Sequence, residues 1–211
     1  MGVRSHGLSL AEQQMNPFIA LAIVWTVGHS NHDFDHFAGL LASQSIEVVV
    51  DVRSYPYSKY CPHFDREALK KALESKGLCY LYLGEELGGR PTKDSQHDED
   101  GHALYGEMAQ EPDFRAAIGR VVEGARKFRL ALVCSEGDPH DCHRRLLVGK
   151  VLTDGGVELR HILPDAEVIA ETTVELGNRD GQESLFEEEV PWRSTQSVSH
   201  RQRLNTSLDE Q

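Results

Sequence analysis

Cysteine is scarce, with four in 211 residues: Cys61, Cys79, Cys134 and Cys142. So few thiols in a chain this long do not make a disulfide scaffold, and the expected setting is cytoplasmic with reduced cysteines. Long apolar runs are lacking as well. Phe18 to Val27 is too short to span a bilayer and leads into Gly28-His29-Ser30 without a cleavage-site pattern, so neither a membrane span nor a secretory leader is expected. His6 stands where a myristoylation signal needs Ser or Thr. Positive charge is also short. The net charge is −12, and residues 165–211 hold 4 basic against 11 acidic side chains, whereas residues 1–164 hold 18 and 23. A surface this acidic argues against tight, non-specific binding to a phosphate backbone, although a local basic pocket is compatible with it. No internal repeat and no cofactor fingerprint is found, so no cofactor is expected.

What remains is an ordinary globular composition, 39% apolar and 27% charged, with enough length for one domain plus tails. Residues 1–17 are polar and read as a mobile arm. Continuous or β-branched apolar runs at 19–27, 46–52, 78–83, 130–134 and 157–163 predict strands buried on both faces. Between them, Phe34, Phe37, Leu40 and Leu41 predict a helix that Asn31 or Asp33 can cap. Leu69, Ala72 and Leu73 predict a second helix, open to capping by Asp65 and ended by Gly77. Residues 114–128 predict a third helix and 143–153 a fourth. Cys79 is expected to pack as a small hydrophobe within its strand. The fold class is therefore α/β, a single three-layer, Rossmann-like domain over 18–164 with a mostly parallel five-stranded sheet. A charged stretch from Gly84 to His102 reads as a lid. After Pro164 the acidic, Ser-rich remainder, 165–211, is expected to be largely disordered.

The densest chemistry follows the strand at 130–134. Cys134, Glu136, His140, Cys142, His143, Arg144 and Arg145 crowd into one turn that opens a helix. In a parallel sheet this turn shares a rim with Gly28-His29-Ser30, with Asp51 and Arg53, and with Leu87-Gly88-Gly89, and ligands bind at such rims. Unpaired N–H groups at a helix start favour an anion there. Arg53, Arg90 and Arg144 suit phosphate, with Arg53–Glu136 or Arg144–Asp51 ion pairs as the plainer alternative. His29 and His143 are candidate acid/base groups beside Asp51 and Glu136. Ser30 and Ser58 offer hydroxyls, and Tyr55, Tyr57 and Tyr60, interleaved with Arg53 and Lys59, suit stacking on a base.

Cys134 admits three readings. The plainest is a small side chain closing a core strand. A strand-end cysteine at a helix start near Arg144 can also be an activated thiol, a layout like that of rhodanese sulfurtransferases, although the arginine spacing differs from theirs. Cys134, His140, Cys142 and His143, with Cys61 or His63 as a further donor, could in principle hold zinc, but C-x5-H-x-C-H is not a familiar ligand pattern, so no metal is expected. Cys134 and Cys142 could instead form a redox pair.

Taken together, Thr26-Val-Gly28-His29-Ser30, Asp51-Val-Arg53-Ser-Tyr-Pro56-Tyr-Ser58, Leu87-Gly88-Gly89-Arg90 and Cys134-Ser-Glu136 with Cys142-His143-Arg144 resemble a bacterial family, that of domain of unknown function 488, over roughly residues 22–163. The family is often loosely labelled as DNA-repair related. Separately, Gln182-Glu-Ser-Leu185-Phe186 resembles the pentapeptide by which bacterial proteins dock on the replication sliding clamp, with Leu185 and Phe186 as apolar anchors.

The function expected from these signals is a nucleotide- or nucleic-acid-processing enzyme, a hydrolase acting on a glycosidic or phosphodiester bond. In that reading His29, Asp51, Glu136 and His143 are catalytic. Ser30, Arg53, Tyr55, Ser58, Arg90, Cys134, Cys142 and Arg144 bind substrate, and Gln182, Leu185 and Phe186 bind the clamp. The alternatives are a rhodanese-like thiol enzyme using Cys134 and a non-catalytic nucleotide-binding adaptor.

Overall fold

The computed structural model describes residues 22–174 and 191–198. Five parallel strands run through it in chain order: β1 (Ile23–Gly28), β2 (Val48–Asp51), β3 (Cys79–Tyr82), β5 (Leu130–Cys134) and β6 (Glu158–Ile162). A short sixth, β7 (Val168–Ala170), pairs antiparallel to β6, and the sheet order is β3-β2-β5-β1-β6-β7. A separate two-stranded sheet joins β4 (His102–Leu104) to β8 (Arg193–Ser197). The sheet thus carries one strand more than the five expected. Residues 168–174 and 191–198 also add ordered elements to a stretch read as unstructured. The clamp-like motif at 182–186 and the arm at 1–17 lie outside the described residues.

The apolar runs form strands because both faces of the sheet are covered. Leu130 and Leu132 face one layer, with Phe114, Val121, Leu147 and Leu152, while Ala131 and Val133 face the other, with Phe37, Leu41, Leu69 and Leu73. Helices α1 (Phe34–Ser43) and α2 (Arg66–Ser75) make the second layer. The first layer is built from α3 (Gly84–Leu87), α5 (Pro112–Ala125) and α6 (Lys150–Asp154), with the short α4 (Tyr105–Met108) beside them. Asp33 caps α1, accepting from the His36 N–H at 2.7 Å. Asp65 does not cap α2 with its side chain, which instead accepts from the Ser58 N–H. Cys79 is exposed rather than packed, because β3 is an edge strand and Cys79 opens it.

One topological fact positions the site. Strand β5 lies between β2 and β1, and the chain leaving those neighbours turns toward α2 and α1 on one face. The chain leaving β5 turns to the opposite face, through a π-helical turn (Arg144–Gly149) into α6. Adjacent strands that diverge in this way open a crevice at their carboxyl ends. Cys134 is the last residue of β5 and sits at its floor.

Candidate functional site

The crevice is built by close backbone approach. A Cβ on Gly28 would fall 1.8 Å from the carbonyl oxygen of Glu136, so only glycine lets the loop after β5 cross the end of β1. The His29 and Ser30 N–H groups then donate to the carbonyls of Cys134 and Ser135, at 3.0 and 2.9 Å. Across the rim, a Cβ on Gly89 would lie 2.5 Å from both Cβ and Cγ of His143. The tandem Gly88-Gly89 is the space into which the imidazole fits.

That imidazole is oriented. His143 Nε2 donates to the carbonyl of Val52 at 2.8 Å, which leaves Nδ1 without a proton in the neutral ring. Nδ1 faces the Cys134 sulfur at 3.6 Å and the Cys142 sulfur at 4.0 Å. Both cysteines are buried and unbridged. The Cys134 thiol is held well below the usual cysteine range, first by the hydrogen bond from the Cys142 thiol and then by His143 and Arg144. Burial and the neighbouring Cys134 sulfur push Cys142 the opposite way. Burial alone would lower the His143 pKa, but the Cys134 sulfur beside it raises it overall. The two sulfurs are thus pushed apart, Cys134 toward the thiolate and Cys142 toward the thiol.

These groups open into a polar cavity of about 480 Å3. Arg53, Ser54, Tyr55, Tyr57, Ser58 and Arg90 line one wall, and Cys134, Ser135, Glu136, Asp141 and His143 line the floor. Tyr105 and residues 194–198, in and just after β8, close the remaining side. Trp192, whose indole N–H donates to the Leu146 carbonyl at 2.8 Å, and Ser194, whose hydroxyl accepts from the Ala103 N–H at 2.9 Å, fasten this wall to the domain.

The residue model of one family, the domain of unknown function DUF488, matches residues 33–151, more than half of the chain. The chain belongs to the DUF488 family. The matched span contains the segment 51–58, the glycines Gly88 and Gly89, and the whole loop from Cys134 to Arg144, while Gly28-His29-Ser30 lies just before it. No curated protein and no solved structure matches the chain.

Within this DUF488 site the expected residues divide. Cys134, Glu136, His143, Arg53, Tyr55, Ser58 and Arg90 share the cavity. Arg90 is exposed, and among the described residues its guanidinium has no ion-pair partner. Cys142 lies behind the floor, against His143. Asp51 and His29 are consumed by structure. The Asp51 carboxylate, fully buried, accepts from Arg53 Nε at 2.9 Å, Arg53 Nη2 at 2.7 Å and the Tyr80 hydroxyl at 2.7 Å. His29 accepts from Arg53 Nη1 through Nε2 at 3.0 Å, donates through Nδ1 to the Ser30 carbonyl at 2.7 Å and stacks on Phe64. Burial, then the Arg53 charge, lowers its pKa to about 4, so it is a neutral strut. Arg53 therefore pairs with Asp51 and not with Glu136.

Arg144 does not face the cavity at all. Its exposure is 0%, and its guanidinium donates to the carbonyls of Glu136 and Gly137 and to the Thr26 hydroxyl. The charge expected to bind phosphate instead holds the loop after β5 in shape from beneath. Thr26 in turn contacts His161, and His161 and Arg145 both bond Glu171, so the loop is tied to a buried polar network at β6. Ser30 is not among the lining residues; its backbone sits at a φ of 49° and its hydroxyl donates to Asn31 Oδ1 at 3.4 Å.

Cys134, Glu136, Cys142 and His143 each offer a donor atom, all within 4.8 Å of one another. Sulfur and imidazole donors of this kind suit a soft cation such as zinc. His140, read in sequence as a fourth donor, bonds Asp138 instead and does not join them. Sequence reasoning missed the Val52 carbonyl, Tyr105 and the β8 wall. Tandem Gly88-Gly89 was the available signal that something packs close; nothing local could have pointed to residues 194–198.

Proposed function

We propose that this DUF488 protein is a thiol-dependent enzyme of the sulfur-transfer class, with Cys134 as nucleophile and His143 as its base. One observation carries the reading: the Cys134 sulfur lies 3.6 Å from a His143 nitrogen whose ring is fixed, through its other nitrogen, by the Val52 carbonyl. A nucleophile, a base in reach and a third group orienting the base form the general arrangement of covalent catalysis. The thiol reading is preferred over hydrolysis by His29 and Asp51 because both of those groups are spent on Arg53 and backbone partners.

The Cys134 thiolate attacks the outer sulfur of a sulfane donor such as thiosulfate. A new S–S bond forms on Cys134, and sulfite leaves with the electron pair of the bond that breaks. Arg90, exposed on the wall, supplies positive charge for an anionic donor or acceptor. The Tyr57 ring, 65% exposed on the cavity wall, offers a face to a base, which favours a nucleotide as the acceptor.

The test is covalent. The full-length protein is incubated with thiosulfate and the peptide carrying Cys134 is weighed. A gain of one sulfur atom in the wild type, absent in Cys134→Ser, is expected. If Cys134 gains no sulfur and is alkylated by iodoacetamide no faster than free cysteine at neutral pH, the proposal fails.

A further inference from the structure

The role of Cys142 is left open by that reading. It is fully buried one residue before His143, on the loop rather than on the strand. Its sulfur shares His143 Nδ1 with Cys134, at 4.0 and 3.6 Å, and lies within 4.8 Å of the Cys134 sulfur. A sulfur–sulfur bond spans about 2.0 Å, so the gap closes by a side-chain rotation and a small loop shift. Cys134 is held in the ladder of the sheet, with its carbonyl bonded to the His29 N–H. Cys142 precedes a π-helical turn, in which the Arg145 and Leu146 N–H groups both donate to its carbonyl. Such turns are frequent at functional sites and have slack that a regular helix lacks.

From this placement we infer that Cys142 is the resolving cysteine of Cys134, so that the site cycles between a dithiol and a Cys134–Cys142 disulfide. The inference rests on the nucleophilic role of Cys134 and adds the step that discharges it. Once the group that leaves in the loading step has taken the His143 proton and Cys134 carries a group as Cys134–S–S–R, the Cys142 thiol passes its proton to the now neutral His143. The Cys142 sulfur then bonds to the Cys134 sulfur, and the bond from Cys134 to the S–R group breaks. The departing RS– takes the electron pair, collects the proton from His143 and leaves as RSH. In this exchange the Cys142 thiol is oxidised and the departing sulfur is reduced; Cys134 was oxidised when it was loaded, so the cycle ends with both protein thiols in the disulfide and needs an external dithiol to reopen it. Position sorts the roles: Cys134 lines the cavity and lies nearer to His143 Nδ1, whereas Cys142 is not among the lining residues and meets the same nitrogen from behind.

The experiment uses full-length protein with exposed Cys79 replaced by serine, so that its thiol does not compete. Glutathione disulfide is the probe, with intact mass and peptide mapping as readouts. With Cys142 in place, the expected product is a protein two hydrogens lighter with a Cys134–Cys142 cross-link and no retained glutathione. Cys142→Ser is expected to accumulate one glutathione on Cys134, and Cys134→Ser to take up none at Cys142. A stable glutathione adduct on Cys134 despite an intact Cys142 overturns the resolving role alone. Failure of iodoacetamide to label Cys134 overturns the nucleophile beneath it. Stoichiometric zinc in the purified protein, retained until both cysteines are alkylated, also overturns the inference, because the four donors would then be holding a cation.

Discussion

Replacing Gly89 with alanine tests whether the site depends on the seating of the His143 ring. The added methyl carbon would stand 2.5 Å from Cβ and Cγ of His143 and 3.1 Å from Cδ2. Carbon atoms rest about 3.5–4.0 Å apart, so the ring must retreat by roughly 1 Å. That movement draws Nε2 off the Val52 carbonyl, now at 2.8 Å, and Nδ1 off the Cys134 sulfur, now at 3.6 Å. Overpacking of this kind costs about 1–3 kcal/mol, and a misplacement near 1 Å can cost about a hundredfold in rate. The assay is the rate of iodoacetamide labelling at Cys134 near neutral pH, read by peptide mapping, alongside the unfolding midpoint. Labelling is expected to slow at least about tenfold while the protein stays folded. Gly39→Ala, in helix α1 with nothing within 4 Å of the added carbon, is the control and should stabilise by about 0.4–1 kcal/mol. Unchanged labelling in Gly89→Ala would refute the argument that this glycine exists to admit the base.

Three further outcomes follow from the same geometry. In the wild type, Cys134 labelling is expected to level off at a lower pH than in His143→Gln, which should keep rising toward the ordinary thiol range near about 8.5; superimposable pH profiles would count against the contact between the two groups. His29 has a folded pKa of about 4 against 6.5 free, so below 6.5 the unfolded chain binds the extra proton first. Stability is therefore full above 6.5 and falls as the pH drops toward 4, by at most about 3 kcal/mol, and His29→Phe should flatten that part of a denaturation-versus-pH curve. Arg144→Lys cannot reproduce three directed donations to Glu136, Gly137 and Thr26, and a loss on the order of 3 kcal/mol with slowed Cys134 labelling is expected. A variant that melts and labels like the wild type would remove Arg144 from the support of the loop.

Much of the architecture was legible before any coordinates, because it depends on local pattern. Runs such as Leu130–Cys134 are apolar at every position, which is what burial of both sheet faces demands, and Gly77 and the Gly155-Gly156 pair mark where helices must stop. The turn that carries the chemistry was visible for the same reason, as polar and reactive residues packed into one strand end. Less visible was the pattern's reach beyond Pro164: β7, three residues long, is too short to show a period, and β8, with the sequence Arg-Ser-Thr-Gln-Ser, has no apolar alternation to announce it.

The sequence by itself determined the α/β class, the parallel core and the single turn where thiols, imidazole and guanidinium gather. The tertiary structure alone decided what each of those groups does. Arg144 and Arg53 read alike in sequence, yet Arg144 is folded under the loop onto carbonyl oxygens while Arg53 is gripped by Asp51 and His29 at the cavity wall. The physical reason is that a hydrogen bond is a statement about distance and direction between chain-distant atoms. The His143 ring faces Cys134 because Val52, just past the end of β2, presents its carbonyl to the far side of the ring and Gly89 leaves the room for it to sit there.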